Sequence, residues 1–121
     1  MYNPQLLEHF QNPRNVGELN DDSGTVRVEV SNPACGDIMR LAVRFHDGVT
    51  ADVRYKVRGC SASIAAGSVL TELMSGQRRE QLQTIRAADI EAVLGGLEPA
   101  SKHAAVLCVD ALKRLLAADR G

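Results

Sequence analysis

The chain of 121 residues has no tryptophan, and aromatic residues make up only 3% of it. It has no basic excess either, because 14 Lys and Arg residues against 15 Asp and Glu residues give a net charge of −1. Nucleic-acid-binding surfaces usually combine basic residues with aromatic side chains that stack on bases, and anionic membranes also attract basic proteins. The composition therefore argues against nucleic acids and membranes as partners.

Long apolar runs are also missing. No segment approaches the roughly 20 apolar residues of a membrane span, and the N-terminus lacks the basic and then apolar pattern of a secretion signal. The hydrophobic fraction of 45% and the charged fraction of 24% are ordinary for a globular protein. We therefore expect a cytoplasmic protein with one domain over residues 1–121, long enough to bury a core.

Cysteine is sparse and odd in number, with Cys35, Cys60 and Cys108 far apart in the chain. An odd number excludes a disulfide framework that pairs every cysteine. In a reducing compartment, dispersed cysteines are more often metal-binding, catalytic or simply buried.

Strand patterns come first along the chain, and most helical patterns follow. Alternating hydrophobicity predicts three strands, at residues 25–30, 39–46 and 50–58. Helical periodicity predicts helices at residues 2–10, 61–75, 78–86, 87–95 and 100–118. A turn signal at residues 46–48 joins the last two strands. This order predicts an α+β fold, in which helices pack on one face of an antiparallel three-stranded sheet.

The segment around Cys35 has the composition of a tight loop that carries metal ligands. Pro33 stiffens it, Gly36 allows a positive φ, and Asp37 can turn back toward Cys35. A thiolate and a carboxylate two residues apart are half of a site for zinc or iron. The alternative is an ordinary turn without a ligand.

Cys60 follows Gly59 and directly precedes a predicted helix, whose N-terminal dipole favours a thiolate. The alternative is a small residue packed at the junction between strand and helix. Among the histidines, we expect His9 and His46 at the surface. His103 is of more interest because it begins the last helix, within five residues of Cys108.

Three segments, at residues 12–17, 33–37 and 59–65, together resemble the U-type iron–sulfur cluster scaffolds (IscU/NifU-like), and the resemblance extends from about Tyr2 to Leu116. It implies a binding protein rather than an enzyme. Members receive sulfur from a cysteine desulfurase, accept iron, assemble a [2Fe–2S] cluster and transfer it to recipient apo iron–sulfur proteins. Many also bind Zn²⁺ at the same site.

The resemblance implies a set of metal ligands. Cys35, Asp37 and Cys60 match ligands of the family, and His103 matches the histidine that one branch carries just before its third cysteine. Soft thiolates hold iron and sulfide, and a weakly binding carboxylate keeps the cluster releasable. These four residues supply enough ligands for a tetrahedral ion.

The third cysteine of the family does not align. In the ungapped register its place falls on Ala104, and Cys108 lies four residues further along the predicted helix. One helical turn displaces Cys108 by about 6 Å, which a metal–sulfur bond of about 2.3 Å cannot span. Either the helix lies lower and Cys108 is a substitute ligand, or Cys108 is a buried helix residue. The candidate ligands are therefore Cys35, Asp37, Cys60, His103 and Cys108.

Other functions remain open. Residues 97–101 replace a proline- and lysine-containing segment that a dedicated Hsp70-type chaperone recognises in one branch, so this partner is doubtful. A divergent zinc-binding relative, acting as a regulator of a desulfurase or as a sulfur acceptor, is the main alternative. A thiol enzyme with Cys60 as nucleophile beside His103 is the second.

Overall fold

The structure is a computed structural model and describes residues 3–21, 24–33 and 36–119. Three strands form an antiparallel sheet in the order β1-β2-β3: β1 (Thr25–Ser31), β2 (Ile38–His46) and β3 (Val49–Arg58). The helices are α1 (Pro4–Gln11), α2 (Ser61–Met74), α3 (Arg79–Leu82), α4 (Ala87–Val93) and α5 (Lys102–Ala118), the last preceded by a 3₁₀ turn (Pro99–Ser101). The predicted α+β meander is confirmed. None of the helices in these ranges is both long and apolar enough to cross a membrane.

One face of the sheet carries the core. Met39, Leu41 and Tyr55 alternate along β2 and β3, and each is at most 1% exposed. Helix α5 packs against β1 and β2, and α2 packs against β3. Arg40 and Lys56 lie on the opposite face and are exposed. This alternation is typical of an antiparallel sheet that is covered on one side.

The turn between β2 and β3 has the predicted form. Asp47 and Gly48 are its two central residues, with φ angles of 52° and 76°. Two positive φ angles define a type I′ turn, whose twist matches that of the strands on either side. The turn therefore sets the register that brings the end of β3, next to Cys60, alongside the start of β2, next to Asp37.

Helix α2 lies unusually close to the sheet at Gly67. A Cβ atom at this position would be 2.3 Å from Cε2 of Tyr55, which excludes any larger residue without rearrangement. The Tyr55 hydroxyl donates a hydrogen bond of 2.6 Å to the Ile64 carbonyl oxygen. These contacts fix the first half of α2, which carries the candidate site at its start, against β3.

The N-terminal segment is tied to both β3 and α2. Asn3 caps α1, as its Oδ1 accepts a hydrogen bond of 2.8 Å from the backbone N–H of Leu6. After the helix, Asn15 and Gly17 exchange backbone hydrogen bonds of 3.0 Å with Tyr55. The loop at residues 12–17 is therefore held against the edge of β3 by backbone hydrogen bonds.

The expectation that His9 lies at the surface is wrong. Its side chain is buried because α1 packs against α2, where Nδ1 lies 2.7 Å from Ser68 Oγ and Nε2 lies 3.6 Å from Glu72 Oε1. Burial lowers the pKa of His9. His46, in contrast, is exposed as expected.

The later helices are shorter than predicted. The expected helix at residues 78–86 ends at Leu82, because the N–H of Ile85 bonds the Leu82 carbonyl in a tighter turn at 3.3 Å. The expected helix at residues 87–95 ends at Val93, where Gly95 has a φ of 76°. Residues 100 and 101 belong to the 3₁₀ turn before α5.

Candidate metal centre

Three candidate ligands converge in the structure. The donor atoms of Asp37, Cys60 and His103 all lie within 4.8 Å of one another. Cys60 Sγ is 3.5 Å from Asp37 Oδ2 and 3.7 Å from His103 Nε2, and the last two atoms are 3.5 Å apart. Ligand atoms of a tetrahedral zinc ion are separated by about 3.5 Å, given bonds of about 2.0–2.3 Å. The three donors therefore have the spacing of a metal site.

The three candidate ligands come from three different parts of the fold. Asp37 directly precedes β2, Cys60 is the N-cap residue of α2, and His103 lies in the first turn of α5. The hairpin register brings the first two together. Packing of α5 beside α2 adds the third.

Asp37 is held by its loop and by the start of α2. Its backbone carbonyl accepts a hydrogen bond of 2.9 Å from the N–H of Asn32, and Gly36 takes the positive φ of 76° that the sequence predicted. Its carboxylate is only 7% exposed and accepts a hydrogen bond of 2.5 Å from Ser63 Oγ. The thiol and the backbone N–H of Cys60 also donate to it.

The charge of Asp37 follows from these contacts. Burial acts to raise the pKa of its carboxyl group, but the hydrogen bonds from Ser63 and Cys60 outweigh burial and hold the pKa below the ordinary value. The side chain is thus kept as a carboxylate, the form that binds a cation.

Gly59 makes room for this buried carboxylate. A Cβ atom at residue 59 would lie 2.4 Å from Asp37 Cγ and 2.6 Å from its Oδ1. Any other residue would collide with Asp37. The absence of a side chain at residue 59 therefore leaves room for the Asp37 carboxylate rather than for the Cys60 thiol.

Cys60 and His103 are the more accessible of the three candidate ligands. The Cys60 residue is exposed, and the His103 side chain is 27% exposed. His103 Nδ1 lies 3.0 Å from the carbonyl oxygen of Ala100. A carbonyl oxygen can only accept, so Nδ1–H donates to it, and in the neutral ring Nε2 then faces Cys60 and Asp37 with its lone pair, an arrangement common among metal-binding histidines.

Cys108 lies elsewhere. It is 0% exposed in the hydrophobic core, and burial strongly raises the pKa of its thiol. Ala104, at the place of the expected third cysteine, is also fully buried. Within residues 36–119, the donor group around Asp37 does not include Cys108. The geometry supports the alternative in which Cys108 is a helix residue of the core.

Cys35, the remaining candidate ligand, lies outside the described residues.

Comparison with known proteins decides the family. Residues 1–119 match the family described as the NifU-like N terminal domain. The chain belongs to this family. This NifU-like chain is 37% identical over 118 residues to the iron–sulfur cluster assembly scaffold protein IscU of Escherichia coli, and the match covers 96% of the chain and 91% of that relative. It is 40% identical over 116 residues to IscU of Azotobacter vinelandii, with 93% and 88% covered.

Solved structures show the same fold. A NifU-like protein (N-terminal) from Brucella abortus superposes with a TM-score of 0.74 at 21% identity, covering 95% of this chain and 91% of that one. A putative iron–sulfur cluster assembly scaffold protein for the SUF system from Fervidobacterium islandicum gives a TM-score of 0.75 at 20% identity, covering 95% and 96%. The predicted family and fold are both confirmed.

Sequence reasoning missed two residues that shape the site in this NifU-like chain. Ser63 contacts both Asp37 and Cys60, and Gly59 leaves space for the carboxylate. Ser63 could have been found from its spacing, because a residue three positions after the N-cap lies one turn into the helix, next to the N-cap side chain. The role of Gly59 depends on its contact with Asp37, which is 22 residues away in the chain, so the sequence next to Gly59 gives no sign of it.

Proposed function

We propose that this NifU-like protein is a scaffold on which an iron–sulfur cluster, of the [2Fe–2S] type, is assembled and from which it is transferred to recipient apo proteins. The observation that carries the proposal is the convergence of Asp37, Cys60 and His103. It occurs in a chain that is 37% identical to an iron–sulfur cluster assembly scaffold over nearly its full length.

The chemistry of the three donors suits a cargo that must be released. A thiolate binds iron strongly, whereas a carboxylate is a harder and weaker partner for the same metal. The Cys60 residue lies at the surface and the Asp37 carboxylate is buried, so one ligand can be reached from solvent while the other is fixed in place. A scaffold needs both features, because the cargo enters and leaves through solvent or through a docked partner.

We assign four ligands: Cys35, Asp37, Cys60 and His103. Cys35 is included because it lies two residues before Asp37 and matches the family motif. Cys108 is left out because its side chain is buried in the core. Under this assignment the missing third cysteine removes a thiol but leaves enough ligands for the metal.

Sulfur delivery then depends on a different thiol. We assign a cysteine desulfurase as the sulfur donor and Cys60 as an acceptor, because this residue lies at the surface, where a partner can reach it. Cys108 is unsuited to this role, since a buried thiol with a raised pKa offers little thiolate.

Anaerobic reconstitution tests the proposal. The purified protein, incubated with ferrous iron, sulfide and a thiol reductant, should develop the visible absorption and circular dichroism of a [2Fe–2S] cluster. Cys60→Ala should abolish the signal, while Cys108→Ala should retain it. A colourless wild-type product would contradict the scaffold function, and loss of colour in Cys108→Ala would restore Cys108 to the ligand set.

A zinc-binding role is the second candidate, and the spacing of about 3.5–3.7 Å between the three donors favours it. Such a protein would act as a regulator or sulfur acceptor of a desulfurase. Metal analysis separates the two functions. One tightly held zinc ion that iron and sulfide cannot replace would favour the zinc protein over the scaffold.

A further inference from the structure

Ser63 lies one turn into α2, directly beneath the metal ligands. Its side chain is fully buried. The hydroxyl oxygen is 2.5 Å from Asp37 Oδ2 and 3.4 Å from Cys60 Sγ. The hydroxyl therefore contacts two candidate ligands. A neutral serine hydroxyl is not itself among the usual ligands of zinc.

The single hydroxyl proton of Ser63 has one clear destination. A carboxylate is a much stronger acceptor than a thiol, and hydrogen bonds to ionised groups are the shorter and stronger ones. The distance of 2.5 Å to Asp37 is of this kind. Because this proton is directed at the carboxylate, Ser63 does not donate to Cys60 Sγ, whose own proton is also directed at Asp37 Oδ2.

These contacts restrict how the carboxylate can turn. Oδ2 receives the Ser63 hydroxyl and faces Cys60 and His103, while the carboxylate as a whole packs against Gly59. Rotation of Asp37 away from the site would leave a buried hydroxyl without its acceptor, which is costly.

We propose that Ser63 is a positioning residue, which fixes the Asp37 carboxylate in its metal-binding orientation and thereby sets how tightly the site holds a metal ion. The proposal rests on the metal-binding role of Asp37 and Cys60 proposed above. It assigns Ser63 no bond to the metal. Groups that orient metal ligands in this way typically contribute about 10–100-fold to metal affinity.

Another serine on the same helix is a matched control. Ser68 is also fully buried, but its hydroxyl lies 2.7 Å from His9 Nδ1 and accepts a bond of 3.0 Å from the Arg14 N–H. Its role is to attach the N-terminal segment. Replacing either serine by alanine removes one buried hydroxyl from α2, but only Ser63→Ala removes a contact to the candidate ligands.

Cobalt(II) is a suitable probe because its visible absorption reports its ligands. In chelator competition, Ser63→Ala should bind cobalt about 10-fold more weakly than wild type, and its absorption bands should shift. Ser68→Ala should keep both the affinity and the spectrum. An unchanged affinity and spectrum in Ser63→Ala, or an equal loss in Ser68→Ala, would overturn the positioning role.

A double-mutant cycle tests whether Ser63 acts through Asp37. In the Asp37→Ala background, the further change Ser63→Ala should leave cobalt affinity unchanged. A full 10-fold additional loss would show that Ser63 acts independently of Asp37 and would overturn the proposal. Wild-type protein that binds no cobalt would overturn the metal site itself, whereas tight binding with an insensitive Ser63 would overturn this inference alone.

Discussion

At the scale of single residues, Asp37 joins two roles on one carboxylate. It accepts hydrogen bonds from the thiol and the backbone N–H of Cys60 and so fixes the residue at the start of α2. The same carboxylate faces the site as a candidate ligand. Because both roles need the carboxylate in one place, the small residue beside it should matter as much as the ligands themselves.

Gly59→Ala tests this dependence. The added Cβ atom would lie 2.4 Å from Asp37 Cγ, so the carboxylate must move and give up hydrogen bonds to Ser63 and Cys60. We expect the free energy of unfolding to fall by about 1–3 kcal/mol, as for other overpacked sites, and metal affinity to fall about 10-fold or more. Urea unfolding and cobalt titration measure the two effects.

The control for this variant is the same change in an Asp37→Ala background. That background lacks the three atoms nearest to the added methyl group, all of which belong to the Asp37 carboxylate. Gly59→Ala should then cost little additional stability. An equal loss of stability in both backgrounds would show that glycine is needed here for the backbone at the start of α2 rather than to leave room for the carboxylate.

At the scale of elements, the N-terminal segment is attached to α2 through polar contacts in a buried setting. His9 lies between Ser68 and Glu72 of α2, with Glu8 and Arg14 of its own segment nearby. Burial is the largest cause of its lowered pKa, and the Arg14 guanidinium adds to it, while Glu72 and Glu8 oppose the shift. The docked state of α1 therefore favours a neutral imidazole.

Stability should consequently depend on pH through His9. The unfolded chain binds a proton at His9 near its ordinary pKa of about 6.5, whereas the folded chain resists protonation. Between these pKa values the unfolded state binds more protons, so stability is fully present above pH 6.5 and declines as the pH falls below it. Urea unfolding at a series of pH values measures this slope.

Two variants isolate the contribution of His9. His9→Gln removes the titrating group and should flatten the slope just below pH 6.5, whereas the change His46→Gln, at an exposed histidine, should leave it intact. A wild-type stability that is constant or rises as the pH falls from 7 to 5.5 would contradict the expected effect of burial.

At the scale of the whole molecule, the sequence predicted what depends on local pattern and missed what depends on distant partners. The alternation of Met39, Leu41 and Tyr55 predicted the strands, and the order of elements predicted the sheet. The burial of His9 escaped prediction because its partner Ser68 is 59 residues away.

The same limit applies to the site. The sequence motifs predict Asp37, Cys60 and His103 as candidate ligands, and the structure brings their side chains together. The sequence does not decide the position of Cys108, because cysteine occurs both on buried, apolar helix faces and as a metal ligand. Only the packing of α5 against α2 and the sheet shows on which side the thiol lies.

The convergence of ligands from three elements predicts that metal binding stabilises the entire fold. A zinc ion held by Asp37, Cys60 and His103 would link the loop before β2 to the first turns of α2 and α5. The unfolded chain lacks this arrangement, so binding shifts the folding equilibrium by about 2.7 kcal/mol at a free zinc concentration 100 times the Kd. The thermal unfolding midpoint should rise with added Zn²⁺ and return to its starting value on chelation.

Two variants are the controls for this prediction. His103→Ala should lose most of the zinc-induced increase, while Cys108→Ala should keep the increase even if its own midpoint without zinc is lower. A zinc-independent midpoint in the wild type would show that the three donors do not act as one site.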